Sequence, residues 1–374
     1  MRIKKQFIKL AVILSSILLI ISSLNNVIIL EDIEIVQNNV LDKNNENNNL
    51  IPPKSSGSWT LTSIYIDNTD GATHGTWAQC TANYDWCSFI GGYYVLENIT
   101  LIGSFGTGIR IANSIVPFRI KNCTILQKET GIKFESVSNG EIINCHIEVR
   151  YWGSDYAGIH LQNSDYNNIY DNIIEFVPRE YFYMSSSFKG IRGDNSDYLD
   201  INGNVIKGTS TGIGIYDSIN SFLTDNTISS CVIGIGCEYV QHTDISFNQI
   251  FGDAWYGIEL NDNDNLTIEE NFIVETNTGI GISYTHNSLF KENILIDNKE
   301  GFGDVWYYSW GYPGENNTYI NNVIINSIEN EDFKDKSKTI SSYDPSILYG
   351  LLIITSGLIT IIIFKKWKVL GKKK

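Results

Sequence analysis

The stretch "GIGIYDSINSFLTDNTISSCVIGIG", residues 212–236, opens and closes on Gly-Ile-Gly, 22 residues apart. Gly followed by Ile or Phe begins at positions 108, 131, 158, 190, 212, 234, 257, 279 and 301, at intervals of 23, 27, 32, 22, 22, 23, 22 and 22. A second marker keeps phase with the first. Asn172, Asn204, Asn226, Asn248, Asn271 and Asn293 each lie 14 residues after their Gly, as does Cys145, while Cys123 lies 15 after. Around both markers apolar residues alternate: Ile213 and Ile215 follow Gly212, Ile258 and Leu260 follow Gly257, and each Asn is followed two residues later by Ile or Leu. A period of two is the period of strands, so short strands recur along the chain with turn residues between them, which excludes helical repeats.

A parallel β-helix is the architecture that turns such a repeat into a core. Stacking successive coils at the strand spacing of roughly 4.8 Å puts equivalent residues into columns along the axis. Inward isoleucines then pile into one core, each worth about 1.5–3 kcal/mol. Gly is expected to make the tight corner before each strand. Asn is expected to take the left-handed conformation at another corner and to bond the Asn stacked above it. Right-handed winding follows from the crossover preference of parallel strands. The expected fold is all-β, a right-handed parallel β-helix of about nine to eleven coils over residues 59–326.

The ends read differently. Residues 1–30 place Arg2, Lys4, Lys5 and Lys9 before the apolar run "LAVILSSILLII", the layout of a signal peptide or an uncleaved signal anchor. Residues 31–58 read as a disordered linker and 327–346 as a stalk. Residues 347–364 carry no charge over 18 positions, a transmembrane helix, and the basic tail 365–374 follows. Lysines after such a span keep that end in the cytoplasm. The expected location is the cell membrane, with one C-terminal span and the β-helix outside. Between the basic ends stand 17 Lys and Arg against 42 Asp and Glu, a net charge of −25. That balance argues against nucleic acid as a partner, because phosphate would be repelled. Sequons at Asn98, Asn122, Asn265 and Asn316 are compatible with export.

The "N-x-I … G-I" coils, together with the opening segment "SIYIDNTDG…W…YDWCSFIGGYYVLENITLIG", resemble the right-handed parallel β-helix proteins of the pectin-lyase-like superfamily, in particular the NosD-like surface proteins. The resemblance covers residues 60–326 and concerns the fold. It implies no single activity, although the superfamily includes polysaccharide lyases and hydrolases. "NTD" at Asn68–Asp70 and "RIK" at Arg119–Lys121 look like polygalacturonase signatures, but their spacing fails and a paired Asp-Asp is absent.

Six cysteines are present. Cys80 and Cys87 in the opening segment are placed for a short disulfide loop, or are two thiols. Cys123 and Cys145 take the Asn position on neighbouring coils, where stacked Cβ atoms lie rather far apart for a disulfide and buried thiols fit better. Cys237 falls on an inward position.

Positions Gly+2 and Gly+4 face solvent on the Gly-Ile sheet. The first file runs Arg110, Lys133, His160, Arg192, Gly214, Gly236, Glu259 and Gly281, and the second Ala112, Glu135, Gln162, Asp194, Tyr216, Glu238, Asn261 and Ser283. Four basic candidates in line offer a grip for an acidic sugar, or else neutralise Glu135 and Asp194 in their own ladder. Insertions before the next Gly add Tyr151, Trp152, Tyr156, Tyr181, Tyr183, Trp255 and Tyr256 to the same edge, where flat rings beside polar groups suit sugar faces. The leading expectation is a cell-surface protein for recognition or structure, binding polysaccharide or glycoprotein through this aromatic and basic edge, with Tyr151, Trp152, Tyr156, His160, Tyr181, Tyr183, Arg192, Trp255 and Tyr256 as contacts. The alternative is a lyase or glycoside hydrolase acting on acidic polysaccharide. For that chemistry Arg110, Lys133 or Arg192 would be the base, Glu238 and Glu259 a diagonal carboxylate pair, and Glu135, Asp194 and Glu238 the donors to Ca2+. Copper handling has no support in five scattered histidines and two methionines.

Overall fold

The computed structural model describes residues 59–69, 71–103, 105–150, 156–177, 188–305, 314–325, 327 and 338–340. The leader, the linker, most of the stalk, the 347–364 span and the tail lie outside the described residues. Among the described residues no helix is long and apolar enough to cross a membrane.

Each coil contributes three short strands. In the coil that opens at Gly212 they are Thr211–Tyr216, Phe222–Thr224 and Thr227–Ser229, and the next coil starts with Ile233–Glu238. Strands of one kind pair only with their counterparts on neighbouring coils. Among the described residues this builds three sheets of 10, 11 and 12 strands. All of their pairings are parallel except the hairpin of Cys87–Ile90 with Tyr93–Glu97. The fold is therefore an all-β parallel solenoid, and the repeat period is the length of one turn.

The columns form as the alternation requires. Ile109, Ile132, Ile159, Ile191, Ile213, Ile235, Ile258, Ile280 and Phe302 stand in register on the first sheet, all closed to solvent. Ile125, Ile147, Ile174, Ile206, Ile228, Ile250, Ile273, Leu295 and Ile324 do the same on the third sheet. Cys237 lies inward between Ile215 and Leu260, as its position predicts.

Two local expectations need correction. The repeated Gly does not turn a corner. It lies within a strand and has no left-handed φ; what it supplies is space. A Cβ on Gly212 would stand 2.5 Å from the Gly234 carbonyl oxygen and 2.5 Å from Ile228 Cγ2. The columns of the first and third sheets meet there, and a methyl group does not fit between them. The Asn is likewise not the left-handed residue. Its predecessor is: Asp171, Gly203, Asp225, Phe247, Glu270 and Glu292 have φ of 53° to 68°. The Asn side chain instead turns into the core and forms a continuous amide ladder. Asn204 Nδ2 donates to Asn226 Oδ1 at 3.0 Å, and Asn226 Nδ2 to Asn248 Oδ1 at 3.0 Å. Each also donates to a carbonyl of the second sheet, as Asn226 does to Ile201 at 2.9 Å. These amides are fully buried and fully bonded, the condition for keeping polar groups in a core.

A short helix, α1 (Trp77–Asn83), closes the first coil. Thr76 and Gln79 form its capping box. Trp77 packs on Tyr94 and Phe118 and donates Nε1–H to Ser114 Oγ at 3.0 Å. Helix α1 turns Cys80 inward, and Cys87 opens the next strand facing the same core. The disulfide considered for them is not formed: both are buried thiols, as are the other four cysteines. Cys123 and Cys145 continue the Asn ladder downward as thiols. Their Sγ atoms point at main-chain carbonyls, and Asn172 Oδ1 accepts from the Cys145 N–H. At the far end Lys338–Ile340 pairs in parallel with Val323–Ile325, so strand pairing extends into the stretch read as stalk.

Candidate functional site

The outer face of the first sheet carries the two files that the repeat predicts. Tyr65, Arg110, Lys133, His160, Arg192, Gly214, Gly236, Glu259, Gly281 and Gly303 stand in register, and Asp67, Ala112, Glu135, Gln162, Asp194, Tyr216, Glu238, Asn261 and Ser283 stand beside them. The face divides into two halves of different chemistry.

In the first half every basic candidate is engaged by the neighbouring acid. Arg110 and Lys133 both bond Glu135, Lys133 at 2.7 Å. His160 Nε2 meets Asp194 Oδ2 at 2.8 Å, and Arg192 Nε lies 2.7 Å from the same oxygen. Burial pushes both carboxyls up, but the hydrogen bonds and charge of their partners outweigh it and hold Glu135 and Asp194 below the usual carboxylate range. Arg110 also lies over the Tyr65 ring, 4.5 Å from its centroid. His160 is buried. This half is a self-neutralising charge ladder.

Glu135, Asp194 and Glu238 do not converge as Ca2+ donors. Gln162 separates the first two and Tyr216 the last two along one file. Successive gaps of two rungs, roughly 9.6 Å, are too wide for one cation. Glu135 and Asp194 are also occupied by Arg, Lys and His. Among the described residues no three His, Cys, Asp or Glu side chains group as metal ligands.

The second half has no basic residue in either file from Gly214 onward. Four glycines flank Glu259 there, and tyrosine rings lie on two of them: a Cβ on Gly214 would meet the Tyr216 hydroxyl at 2.8 Å, and one on Gly281 the Tyr256 ring at 2.6 Å. Glu259 and Glu238 are diagonal neighbours, since Gly236 faces Glu259 and Glu238 faces Asn261. Burial, with the Glu238 charge adding to it, pushes the Glu259 carboxyl up to about 7. Asn261 donates to Glu238 at 3.4 Å and to Asp262 at 3.2 Å. Asn261 Oδ1 and Ser283 Oγ are buried acceptors without a hydrogen-bond partner. Neither residue is conspicuous in sequence; the only signal was an uncharged polar side chain at Gly+4.

Of the aromatic candidates, Tyr151, Trp152, Tyr181 and Tyr183 lie outside the described residues. Tyr156 and Trp255 hold the same place two residues before their Gly, on one edge of the sheet, four rungs apart. They diverge in packing. Tyr156 leans on the core, Tyr256 is buried over Gly281, and Trp255 is 63% exposed.

A family model described as "Right handed beta helix region" matches residues 53–189, and one described as "Periplasmic copper-binding protein (NosD)" matches 183–345. Together with the solenoid they decide the family. The chain is a NosD-like right-handed parallel β-helix protein. No curated protein matches this NosD-like chain. Among solved structures it is similar to a periplasmic alginate epimerase, AlgG, with 14% identity over 77% of this chain and 86% of the other, TM-score 0.37. It is also similar to DFA-IIIase from Arthrobacter chlorophenolicus A6, with 10% identity over 66% and 70%, TM-score 0.41. A third is the catalytic domain of a GH87 alpha-1,3-glucanase, with 12% identity over 77% and 63%, TM-score 0.34.

The copper in the family description finds no fit among the described residues. His160 is taken by Asp194, and His286 Nδ1 accepts the Glu315 N–H at 3.0 Å. Cys123 and Cys145 are sealed in the core, and no three ligands meet. Copper needs such a cluster of nitrogen or sulfur donors.

Proposed function

We propose that this chain is a membrane-anchored recognition protein whose solenoid stands outside the cell and binds glycan along the edge where its coils enter the first sheet. The observation that carries the reading is Trp255, a 63% exposed ring at the entry to the strand Tyr256–Asn261, beside the packed Tyr256. An indole held open at that place suits the C–H face of a sugar. The self-neutralised lower ladder speaks for neutral rather than uronic sugars. Anchoring is supported by the uncharged 347–364 segment and the lysines after it. The test is retention of the purified full chain on an array of neutral and acidic glycans. Trp255→Ala should weaken retention about tenfold or more, as loss of an aromatic anchor does; equal retention by both chains rejects the reading.

Hydrolysis of a glycosidic bond is the second reading, favoured by one observation. Glu259 holds its proton to about pH 7 and Glu238 lies diagonal to it, a protonated acid with a second carboxyl on the next coil, as acid catalysis uses. Incubation with the retained glycan tests it. Release of reducing ends that is lost in Glu259→Gln would establish turnover, and intact glycan would leave binding alone.

A further inference from the structure

We infer that the solenoid is itself glycosylated, with Asn122, Asn265 and Asn316 as acceptors of N-linked oligosaccharide through their side-chain nitrogens. The chain holds four Asn-x-Thr triplets, at Asn98, Asn122, Asn265 and Asn316, and the fold gives all four one geometry. Each Asn takes a left-handed corner, with φ of 58°, 52°, 54° and 61°, and its Thr lies at the beginning of the strand that follows. The residue between them turns inward. Ile99, Cys123 and Leu266 are buried, and Asn317 Nδ2 donates to the Thr285 carbonyl at 2.7 Å. Asn and Thr are therefore left together on the outside of the rod, which is the pair that defines an acceptor triplet. The asparagines of the core ladder are the opposite case: sealed, doubly bonded and followed two residues later by Ile or Leu.

Three of the four triplets are open. Asn122, Asn265 and Asn316 are exposed, whereas Asn98 is half-buried. Each open amide gives one N–H to the rung below, Asn122 to Glu97 Oε1 at 3.5 Å, Asn265 to His242 Nδ1 and Asn316 to Asn287 Oδ1 at 3.2 Å. A primary amide carries two donors, so the second can be exchanged for a sugar carbon while the first keeps its bond. Asn98 and Asn122 stand on adjacent rungs, about 4.8 Å apart, too close for two branched chains. That leaves Asn122 as the acceptor of the pair. Asn265 and Asn316 stand two rungs apart, roughly 9.6 Å, with Asn287 between them.

The attachment balances without oxidation or reduction. A bond forms between Nδ2 and the anomeric carbon of the sugar as that carbon's bond to a lipid-linked phosphate carrier breaks; the phosphate leaves with the electron pair and the amide gives up one proton. The inference rests on the solenoid standing outside the cell, where such a carrier is met, and not on its binding glycan. Placement also suits the fold. Asn122 lies on the corner from the second sheet to the third, and Asn265 and Asn316 on the corner from the first sheet to the second. The remaining corner, where Trp255 stands, carries no such triplet among the described residues. Attached chains would cover two edges of the rod and leave that one open.

The test is the intact mass of the full chain purified from the membranes of the cells that make it, with mass mapping of its peptides. We expect a mass above that of the polypeptide, with Asn122→Gln, Asn265→Gln and Asn316→Gln each removing one oligosaccharide and Asn98→Gln removing none. Should Gln disturb a left-handed corner, Thr124→Ala, Thr267→Ala and Thr318→Ala abolish the same triplets with the corners intact and should remove the same masses. Labelling of whole cells with an impermeant amine reagent reports export separately. A labelled chain of bare polypeptide mass overturns the inference and leaves export standing, and an unlabelled bare chain overturns both. Loss of an oligosaccharide in Asn98→Gln, or an unchanged mass in the three Thr variants, also overturns it.

Discussion

At Gly212 the side chain is one hydrogen because two columns of isoleucine have converged to the limit of contact. Gly212→Ala would press a methyl group against Ile228 and the Gly234 carbonyl, each 2.5 Å away. The neighbour on one side is backbone and cannot give. The variant should lose about 1–3 kcal/mol, the cost of overpacking a filled core, read as a lower melting temperature by circular dichroism. Glu259 makes the opposite case, a residue that costs stability where it stands. Its carboxyl is raised from the ordinary 4.5 to about 7, so the folded chain binds that proton more tightly than the unfolded one. Its own contribution to stability is therefore most favourable below pH 4.5 and declines as pH rises from there through 7. The full cost is on the order of 3 kcal/mol at 1.36 kcal/mol per unit. Glu259→Gln should melt higher than the parent at pH 8 and match it near pH 4; a constant difference between the two would remove the account. Single residues were legible in sequence wherever the repeat named them. Their local roles were less so, because the reason for Gly lies 16 residues away in Ile228, and the left-handed turn belongs to the residue before Asn.

At the scale of strands, the charge ladder behaves as a unit. Asp194 accepts from His160 on one rung and from Arg192 on its own, so Asp194→Asn removes the anion that both share. We expect a loss of about 1–3 kcal/mol, characteristic of hydrogen bonds to charged groups, with Asp194→Ala no less affected. Urea denaturation reads it, and a loss within error would mean that the ladder is ornamental to folding. The membership of these files followed from the 22-residue spacing alone, including the diagonal of Glu238 and Glu259. Which members are covered did not. Burial of Asn261 and Ser283 depends on neighbouring segments whose course no period encodes. A further column of serines was legible but unread: Ser164, Ser196 and Ser218 each stand six residues after their Gly. Ser196 donates its hydroxyl to the Asp194 carbonyl and accepts from Ser164 N–H, stitching the corner between two sheets.

For the whole solenoid, the strongest reading came from the sequence period and the weakest from its irregular parts. The helix at Trp77–Asn83 breaks the repeat and was seen only as an opening segment, since capping chemistry there is local and the Trp77 contacts are distant. The longest insertions, where most of the aromatic candidates sit, follow no such rule. The regular part permits a severe test. Excising residues 212–233, one full period, joins Thr211 to Gly234 and should return a folded rod shorter by one rung, about 4.8 Å, with Ile191 resting on Ile235. Loss of cooperative melting in that variant would show that the coils are not interchangeable.

The amide ladder has a consequence of its own. Every Asn in it hands its N–H to the oxygen of the coil above, so the dipoles all point the same way, from Asn172 to Asn322. A wire of aligned amides through an apolar interior gives the two ends of the ladder opposite character, donor at one and acceptor at the other, and each end must be terminated by a different chemistry. At the lower one the last amide oxygen, that of Asn172, is met by the Cys145 N–H, the same main-chain bond that each Asn gives the next, and below it the thiols of Cys145 and Cys123 take the place of amides and turn to main-chain carbonyls.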